Sequence, residues 1–397
     1  MIKKVVLATV LATVAFLAWD FYSAPVFWKR MAATFSASGK GAYSEVFDNR
    51  EVVRGAPEER DLPVAPSGLA SISGDALADM VEYAAYFDSF SLLVLHRGQV
   101  QLEWYRDDYS AASLTQSQSM HKSIQALLIG QALAEGLIAS IDDPVGKYLS
   151  EWRDDPRGDI TINELLQMSS GLESFSGGFN PWGDAFRWLY ADDTRAATLA
   201  FGQSGAAGEQ FDYNDLNAQL LGLVLSEATG ERYADYLSRV LWQPLGNSDA
   251  QVWLDRPGGE AMHACCLLAT TRDWARLGQL LLQEGQWDGE AVLDAQWIQR
   301  AATPSPHTPH YGFQIWLASN VQANPRKTGY QRKADWLDPA TFYFSGYGAQ
   351  RVYVSPNYDL VIVRTGPAAG YFPKIIEEWD NSFLVNRAIQ GLQQESP

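Results

Sequence analysis

The sequence has few of the residues that metal sites and disulfide frameworks need. It contains two cysteines and five histidines in 397 residues. The cysteines, Cys265 and Cys266, are adjacent, and because a bridge between neighbours is strained and rare, we expect two small buried apolar side chains. Only His307 and His310 stand at a helical ligand spacing, and they lie in the proline-rich stretch TPSPHTPHYG. No metal site is therefore predicted.

Basic residues are also scarce. Thirty Lys and Arg stand against 47 Asp and Glu, which gives a formal net charge of −17. Because binding to a phosphate backbone needs clustered Lys and Arg, nucleic acid is excluded as a partner. The chain also lacks G-x-S-x-G, the nucleophile turn of α/β-hydrolases, so a hydrolase of that class is not indicated.

The longest apolar run lies at the N-terminus. Lys3 and Lys4 precede an unbroken apolar stretch from Val5 to Trp19, an arrangement typical of secretory signals. No good small-x-small cleavage site follows it. We therefore expect residues 1–24 to be an uncleaved signal-anchor in the inner membrane, with a cleaved signal peptide as the alternative. The lysines would keep the N-terminus in the cytoplasm and place the globular part on the periplasmic side.

Beyond this run the sequence predicts a connector over residues 25–74 and one large domain over 75–397. The connector carries scattered prolines and charges, as in APEERDLPVAP. In the domain, SLLVLHRGQVQLEWY (91–105) predicts two strands around a turn, and the middle to about residue 285 is mostly helical. Further strands are predicted within 311–317, 341–356 and 359–366, with a closing helix over 374–392. Strands at both ends with helices between them predict an α+β fold: an antiparallel β-sheet flanked by N- and C-terminal helices, with a mostly helical inserted subdomain.

The stretch SQSMHKSIQALLIG (117–130) places Ser119 at the start of a predicted helix and Lys122 one turn further on. A serine there is a favoured N-cap. A capping box, however, would have Glu or Gln at position 122, and a lysine in the first turn opposes the helix dipole. The same field would lower the pKa of Lys122 and let it act as a base towards the hydroxyl on its own helix face. Ser119-x-x-Lys122 is the only such spacing in the chain.

A second candidate is Tyr213, in FDYNDLNAQLLGLVLSEATG (211–230), just before an amphipathic helix. A tyrosine in this position is more often a packing residue. Beside a serine nucleophile, however, a phenol can return a proton to the leaving group.

Ser119-x-x-Lys122, Tyr213-x-Asp215 and a glycine-containing strand near the C-terminus together resemble the serine β-lactamase and penicillin-binding protein superfamily. The resemblance covers roughly residues 75–390. The segments 160–173 (ITINELLQMSSGLE), 230–247 (GERYADYLSRVLWQPLGN) and 267–282 (LLATTRDWARLGQLLL) are similar to superfamily segments in the same order. Within the superfamily, the M-S-S-G and G-Y-G-A-Q-R-V-Y-V-S-P segments look most like 6-aminohexanoate-dimer hydrolases and related esterases.

The third motif of the superfamily, K-T-G or H-x-G, lies on a strand beside the nucleophile. A literal K-T-G occurs at 327–329, within the turn-rich, charged stretch NPRKTGYQRK. By contrast, YFSGYGAQRVYVSP alternates as a strand does, contains glycines for close backbone approach, and precedes the last strand and helix. We therefore place the motif at Phe344, Ser345 and Gly346.

The resemblance implies a covalent acyl-enzyme on Ser119, with Lys122 and Tyr213 exchanging its proton. It also implies an oxyanion hole formed by the backbone N–H groups of Ser119 and Tyr347, and no cofactor.

Two positions depart from the superfamily pattern. Asp215 stands where Asn or Ser is usual, and its carboxylate could either hold Lys122 protonated or bind a cationic end of the substrate. Phe344 stands where Lys or His would attract a substrate carboxylate, which argues against penicillins.

The sequence therefore favours a serine hydrolase of small esters or amides. A penicillin-interacting D-peptidase or β-lactamase is the first alternative, and a non-catalytic cell-envelope binding protein of the same fold is the second. Trp182, Trp188 and Tyr190, in the loop after M-S-S-G, are expected either to line an apolar substrate pocket or to be core aromatics.

Overall fold

Strands from both ends of the domain and helices from its middle make up the structure. The computed structural model describes residues 2–37, 46, 49–66, 70–176, 180, 182–321, 332–367 and 377–392. Its strands are β1 (Arg50–Val53), β2 (Ser91–His96), β3 (Gln99–Tyr105), β4 (Thr115–Gln116), β5 (Ala250–Trp253), β6 (Leu267–Ala269), β7 (Gln286–Trp287), β8 (Glu290–Ala291), β9 (Trp316–Leu317), β10 (Phe342–Gly346), β11 (Gln350–Ser355) and β12 (Leu360–Thr365). Its helices are α1 (Ile2–Ser23), α2 (Pro25–Ala37), α3 (Gly74–Tyr86), α4 (His121–Ala134), α5 (Ile162–Leu166), α6 (Asp184–Leu189), α7 (Thr194–Leu199), α8 (Asp215–Thr229), α9 (Tyr233–Leu237), α10 (Thr271–Leu282), α11 (Ala295–Ala301) and α12 (Phe383–Gly391).

The main sheet has six antiparallel strands in the order β3-β2-β12-β11-β10-β9. The β2–β3 hairpin turns at Arg97 and Gly98, whose φ angles of 51° and 73° are those of a two-residue turn that matches the strand twist. Strand β12, from the end of the chain, pairs with β2, from the start of the domain. This confirms the predicted antiparallel sheet completed by both ends of the domain.

Each face of this sheet packs against helices. On β2, Leu92 and Val94 join the core under α3 and α12, whereas Leu93 and Leu95 point into the larger core on the α10 side. This alternation is the two-residue period of a strand buried on both faces. The flanking N- and C-terminal helices, α3 and α12, contact each other as the predicted architecture requires.

The middle of the chain differs from its prediction by containing a second sheet. Four short antiparallel strands pair in the order β1-β5-β6-β4. Strands of two to four residues are too short to show alternation, so the sequence predicted helix around them. Pairing of β4 with β6 brings the residues just before Ser119 next to Leu267–Ala269.

Two other predicted segments also differ. Residues 311–317 form a strand only at β9, because Gln314 takes a left-handed φ of 53° that breaks an extended chain. The predicted connector contains α2, which buries Phe27 and Met31 in the core, and β1, which pairs with β5. Pro25 is compatible with the first turn of α2, so its presence did not exclude a helix.

Candidate active site

Ser119 lies in a short 3₁₀ turn, Gln118–Met120, that leads directly into α4. Neither Ser119 nor its neighbours makes a side-chain cap bond to this helix. The turn is held on strand β6, since the Ser117 N–H donates to Leu267 O at 2.9 Å and the Leu267 N–H donates to Ser117 Oγ at 3.1 Å. Gln118 takes a left-handed φ of 50°. A sparsely populated backbone conformation next to a partly exposed serine is typical of a functional turn.

Lys122 is buried to 1% exposure, and its Nζ interacts with several polar groups, Tyr213 among them. Its Nζ donates to Ser119 Oγ at 2.9 Å and to Ala264 O at 2.6 Å, and forms an ion pair with Asp215 Oδ1 at 2.6 Å. An ammonium group has three N–H donors and no acceptor, so these three acceptors match the protonated form of the side chain. Ser119 Oγ is therefore an acceptor in the resting site.

The charge state of Lys122 differs from the sequence-based expectation. Burial alone disfavours the ammonium, but the attraction of Asp215 and Tyr213 outweighs it and holds the pKa of Lys122 above its usual value. The predicted lowering of this pKa by the helix dipole is therefore wrong. The reason is the carboxylate at 2.6 Å, a closer and fuller charge than the helix terminus. The geometry pairs Asp215 with Lys122 as its counter-ion, whereas the second role considered for Asp215, binding a cationic end of the substrate, stays a prediction.

Tyr213 lies against the lysine from the start of α8. Asn214 caps that helix by accepting the Leu216 N–H at 3.0 Å, which fixes the preceding backbone. The Lys122 Nζ lies 5.4 Å from the centroid of the Tyr213 ring. The ring also packs against Trp316, with a centroid separation of 5.5 Å. The fold thus brings together Ser119, Lys122 and Tyr213, which are up to 94 positions apart (213 − 119).

The end of β10 packs directly against the Ser119 turn. A Cβ atom at Gly346 would lie 2.3 Å from the Ser117 carbonyl oxygen, so only glycine permits this approach. Ser345 is partly exposed, but Phe344 is buried to 1% in the larger core. Tyr347 is the first residue after the strand. The K-T-G at 327–329 lies outside the described residues.

Arg351, which sequence analysis did not predict, fixes the peptide group between Gly346 and Tyr347 through a hydrogen bond to the Gly346 carbonyl. Its buried guanidinium donates to Gly346 O at 3.0 Å, Gln350 O at 2.8 Å and Asn381 Oδ1 at 2.9 Å. In a trans peptide the carbonyl and the following N–H point in opposite directions. Anchoring the Gly346 carbonyl on Arg351 therefore directs the N–H of Tyr347 away from Arg351.

The segment from Met262 to Cys266 forms another wall of the candidate active site, and sequence analysis did not predict it. It supplies Ala264 O to Lys122, while Cys265 O accepts the Nδ1–H of His121 at 2.7 Å. The Nε2 of His121 accepts the Tyr233 hydroxyl at 2.7 Å. Burial lowers the pKa of His121 to about 3, so this ring is neutral.

The two cysteines in this wall are joined to each other. Cys265 and Cys266 form a disulfide, whereas the sequence led us to expect two separate thiols. Cys266 has a left-handed φ of 87°. The chain turns at this residue, and the two neighbouring side chains come together there.

The three candidate pocket aromatics take structural positions. Trp188 and Tyr190 are buried to 3% and 0%, and the Tyr190 hydroxyl bonds to Thr34 on α2 at 2.6 Å. Trp182 is on the surface and packs against Trp28, with a ring separation of 5.8 Å. Of the two expectations for Trp188 and Tyr190, the structure shows core aromatics.

A buried lysine hydrogen-bonded to the serine one turn before it, with the serine turn packed against strands β10 and β11 of an antiparallel sheet, is the architecture of β-lactamase-fold serine hydrolases. Residues 77–366 match the family model described as Beta-lactamase, and the chain belongs to that family. The superfamily prediction and the fold prediction are thereby confirmed.

Similarity to individual proteins supports this family assignment. The chain is 25% identical over 277 residues to a 6-aminohexanoate-dimer hydrolase of Paenarthrobacter ureafaciens, covering 63% of this chain and 70% of the relative. It is 28% identical over 143 residues to penicillin-binding protein 4* of Bacillus subtilis, covering 36% of this chain and 31% of that protein. Its structure matches that of a 6-aminohexanoate-dimer hydrolase homologue from Bacillus anthracis with a TM-score of 0.72 at 19% identity, over 89% of this chain and 94% of the other. At that identity the structural match speaks for the fold.

Proposed function

We propose that this protein is a serine hydrolase that cleaves ester or amide bonds of small substrates through an acyl-enzyme on Ser119. The observation that carries the proposal is the contact of Ser119 Oγ with Lys122 Nζ at 2.9 Å, with Tyr213 packed alongside. The similarity to a 6-aminohexanoate-dimer hydrolase supports a small acyl substrate of this kind.

In the proposed acylation step, Ser119 Oγ attacks the substrate carbonyl and gives up its proton. Because Lys122 is already an ammonium, this proton goes to Tyr213, which reacts as a phenolate and becomes a phenol. The positive charge of Lys122 beside the Tyr213 ring would stabilise the negative charge that the phenolate carries before the transfer. Tyr213 then gives the proton to the leaving alcohol or amine as the bond between the carbonyl carbon and the leaving atom breaks.

Water completes the reaction by attacking the acyl-enzyme, which releases the acid and restores the Ser119 hydroxyl. The N–H groups of Ser119 and Tyr347 would form the oxyanion hole in both steps. A preorganised donor of this kind typically contributes about 3–4 kcal/mol to the lowering of the barrier.

The residue at the third motif, on strand β10, favours ester and amide substrates over penicillins. Phe344 stands where the superfamily has a cation, and its side chain is buried to 1% in the core. This position therefore offers no positive charge to a substrate carboxylate. The alternatives, a penicillin-interacting D-peptidase or β-lactamase and a non-catalytic cell-envelope binding protein, differ from the proposal in what Ser119 reacts with.

We further propose that α1 anchors the protein in the inner membrane with the domain on the periplasmic side. Residues Lys4–Ser23 form a 20-residue helix with a mean hydropathy of 1.9, long and apolar enough to cross a bilayer. A signal sequence would have the same features, and Lys3 and Lys4 support the orientation.

Covalent labelling followed by intact-mass measurement tests the catalytic proposal. We expect a fluorophosphonate to add one adduct to the wild-type protein, to leave Ser119→Ala unlabelled, and to label the control Ser110→Ala, which removes an exposed serine. Labelling by neither a fluorophosphonate nor a penicillin would favour the non-catalytic alternative. Penicillin labelling that Ser119→Ala abolishes would favour the D-peptidase or β-lactamase alternative.

A further inference from the structure

The apolar helix α1 continues into α2 with almost no break. Across the junction at Ala24, the Ala24 N–H donates to Asp20 O at 3.1 Å and the Trp28 N–H donates to Ala24 O at 3.2 Å. These are the i→i−4 bonds of an uninterrupted α-helix. The direction of α1 is therefore set by the position of α2.

Helix α2 is in turn fixed to the catalytic domain. Phe27 and Met31 are buried to 4% and 2% in the main core. Arg30, itself 4% exposed, donates to Tyr190 O at 3.2 Å, Ala191 O at 2.5 Å and Asp255 O. A guanidinium that satisfies three backbone carbonyls is a rigid attachment, so α2 cannot act as a flexible tether.

The acidic residue at the end of the apolar run is neutralised by the domain. Asp20 is 6% exposed and pairs with Arg187 on α6 at 2.7 and 2.8 Å, and it accepts the Trp28 indole N–H at 3.1 Å. The guanidinium of Arg187 lies 4.0 Å from the centroid of the Phe27 ring. A carboxylate at the edge of a bilayer is tolerated when it is paired in this way. The pair also locks the end of α1 onto α6.

Aromatic side chains cluster at this junction. Trp19, Phe21 and Tyr22 at the end of α1 are exposed by 66%, 57% and 82%, and Trp182 from the domain is exposed by 46%. Trp182 contacts Trp28, with ring centroids 5.8 Å apart. We call Trp19, Phe21, Tyr22 and Trp182 the aromatic face.

The aromatic face lies at the depth of the membrane interface. Trp28 is five residues beyond Ser23, a rise of about 7–8 Å along the helix. Each interfacial zone of a bilayer extends about 5–8 Å beyond the hydrocarbon core, and Trp and Tyr concentrate there. A domain residue that contacts Trp28 therefore falls in the headgroup region when α1 spans the bilayer.

We propose that the catalytic domain docks on the bilayer surface through the aromatic face, in one orientation fixed by α2. This inference rests on the proposed anchor and goes beyond it, because an anchor alone would allow the domain to hang free of the membrane. The partner is a phospholipid bilayer, and Trp182 is the point at which the catalytic domain itself enters the headgroup layer.

Tryptophan quenching tests the proposal on the full chain. The protein is reconstituted in phosphatidylcholine vesicles with and without bromine on the acyl chains close to the glycerol, and the quenched fraction of emission is compared. We expect Trp182→Phe to lower the quenched fraction. We expect the matched control Trp287→Phe, which removes a partly exposed tryptophan of the β7–β8 hairpin, to leave it unchanged or raise it. An unchanged quenched fraction in Trp182→Phe overturns the proposal.

Labelling of Ser119 with a fluorophosphonate, measured on the same samples, keeps the two proposals separate. If Trp182→Phe reacts with the fluorophosphonate, the variant is folded. A change in its quenched fraction then reports on docking and not on misfolding. Failure of the wild-type protein to label would count against the proposed hydrolase while the quenching result still decides the docking.

Discussion

Lys122 Nζ lies 2.6 Å from Asp215 Oδ1, and this pair sets the charge of the candidate active site. The lysine is buried, whereas the aspartate side chain is 38% exposed. Because the carboxylate outweighs the penalty of burial, the lysine holds its proton at a higher pH than an ordinary lysine. The proposed mechanism therefore uses Lys122 as an ammonium.

Asp215→Asn should therefore shift the pH profile of hydrolysis. Without the carboxylate, burial lowers the pKa of Lys122, and the ammonium is lost at a lower pH than in the wild-type protein. We expect the alkaline limb of kcat/KM for a soluble ester to move to lower pH. Asp212→Asn, which changes an exposed carboxylate three positions earlier, is the control. An acid limb that moves to lower pH instead would show that Lys122 acts as a neutral base.

Gly346→Ala should separate the third-motif strand from the serine. The added Cβ would meet the Ser117 carbonyl oxygen at 2.3 Å, so β10 or the Ser119 turn has to move. Overpacking of this kind costs about 1–3 kcal/mol of folding free energy. We expect a comparable loss of stability in denaturant unfolding and a slower reaction of Ser119 with a fluorophosphonate.

The control for that change is Gly74→Ala, at the start of α3, where an added Cβ meets nothing within 4 Å. This variant should match the wild-type protein in stability or exceed it slightly, because alanine favours helix. A Gly346→Ala protein that reacts at the wild-type rate would contradict the close approach of β10 to the Ser119 turn.

Arg351→Lys should lower kcat more than it raises KM. A lysine cannot reproduce the three directed bonds of the guanidinium, so the Gly346 carbonyl and the Tyr347 N–H lose their fixed orientation. Removing an oxyanion donor outright costs about 10²–10³ in kcat, and we expect loosening of one to cost roughly tenfold or more.

Arg276→Lys is the matched control for Arg351. Arg276 is also buried and donates to Arg60 O, but it lies on α10 and makes no hydrogen bond to the β10–β11 hairpin within the part of the chain that the structure describes. Stability should fall in both variants, whereas kcat should fall only in Arg351→Lys. Equal kcat values in the two variants would mean that Arg351 contributes only to stability and does not position the Tyr347 N–H.

The sequence predicted those parts of the site that depend on spacing and order along the chain. Ser119 and Lys122 stand one helical turn apart and Tyr213 precedes a predicted helix, but each pattern alone was weak, and the superfamily resemblance, with its motifs in order, joined the three. The charge state of Lys122 could not be predicted because it depends on the distance to Asp215, which only the packing of α4 against α8 determines.

Other parts of the site act through the backbone and leave no pattern in the sequence. Arg351 bonds to the Gly346 carbonyl, and Ala264 supplies its own carbonyl to Lys122. A carbonyl is present at every position, so nothing in the residue type marks the position that is used. The main sheet was predicted because five of its strands, all except β9, are five to seven residues long and stand out as strand segments in the sequence, whereas the β1-β5-β6-β4 sheet was missed because its strands have only two to four residues.

Stability of the folded domain should fall as the pH falls from about 6.5 towards 3, through the protonation of His121. Burial lowers the pKa of this ring to about 3 in the folded protein, whereas an unfolded histidine has a pKa of about 6.5. Between these values the unfolded chain binds a proton that the folded chain does not, so the free energy of unfolding decreases by roughly 1 kcal/mol per pH unit as the pH falls.

Denaturant unfolding of wild-type protein and His121→Asn at several pH values measures this slope. The slope should be shallower in His121→Asn and unchanged in the control His307→Asn, which alters a partly exposed histidine. Equal slopes in wild-type protein and His121→Asn would mean that burial against Cys265 O and the Tyr233 hydroxyl does not keep His121 neutral.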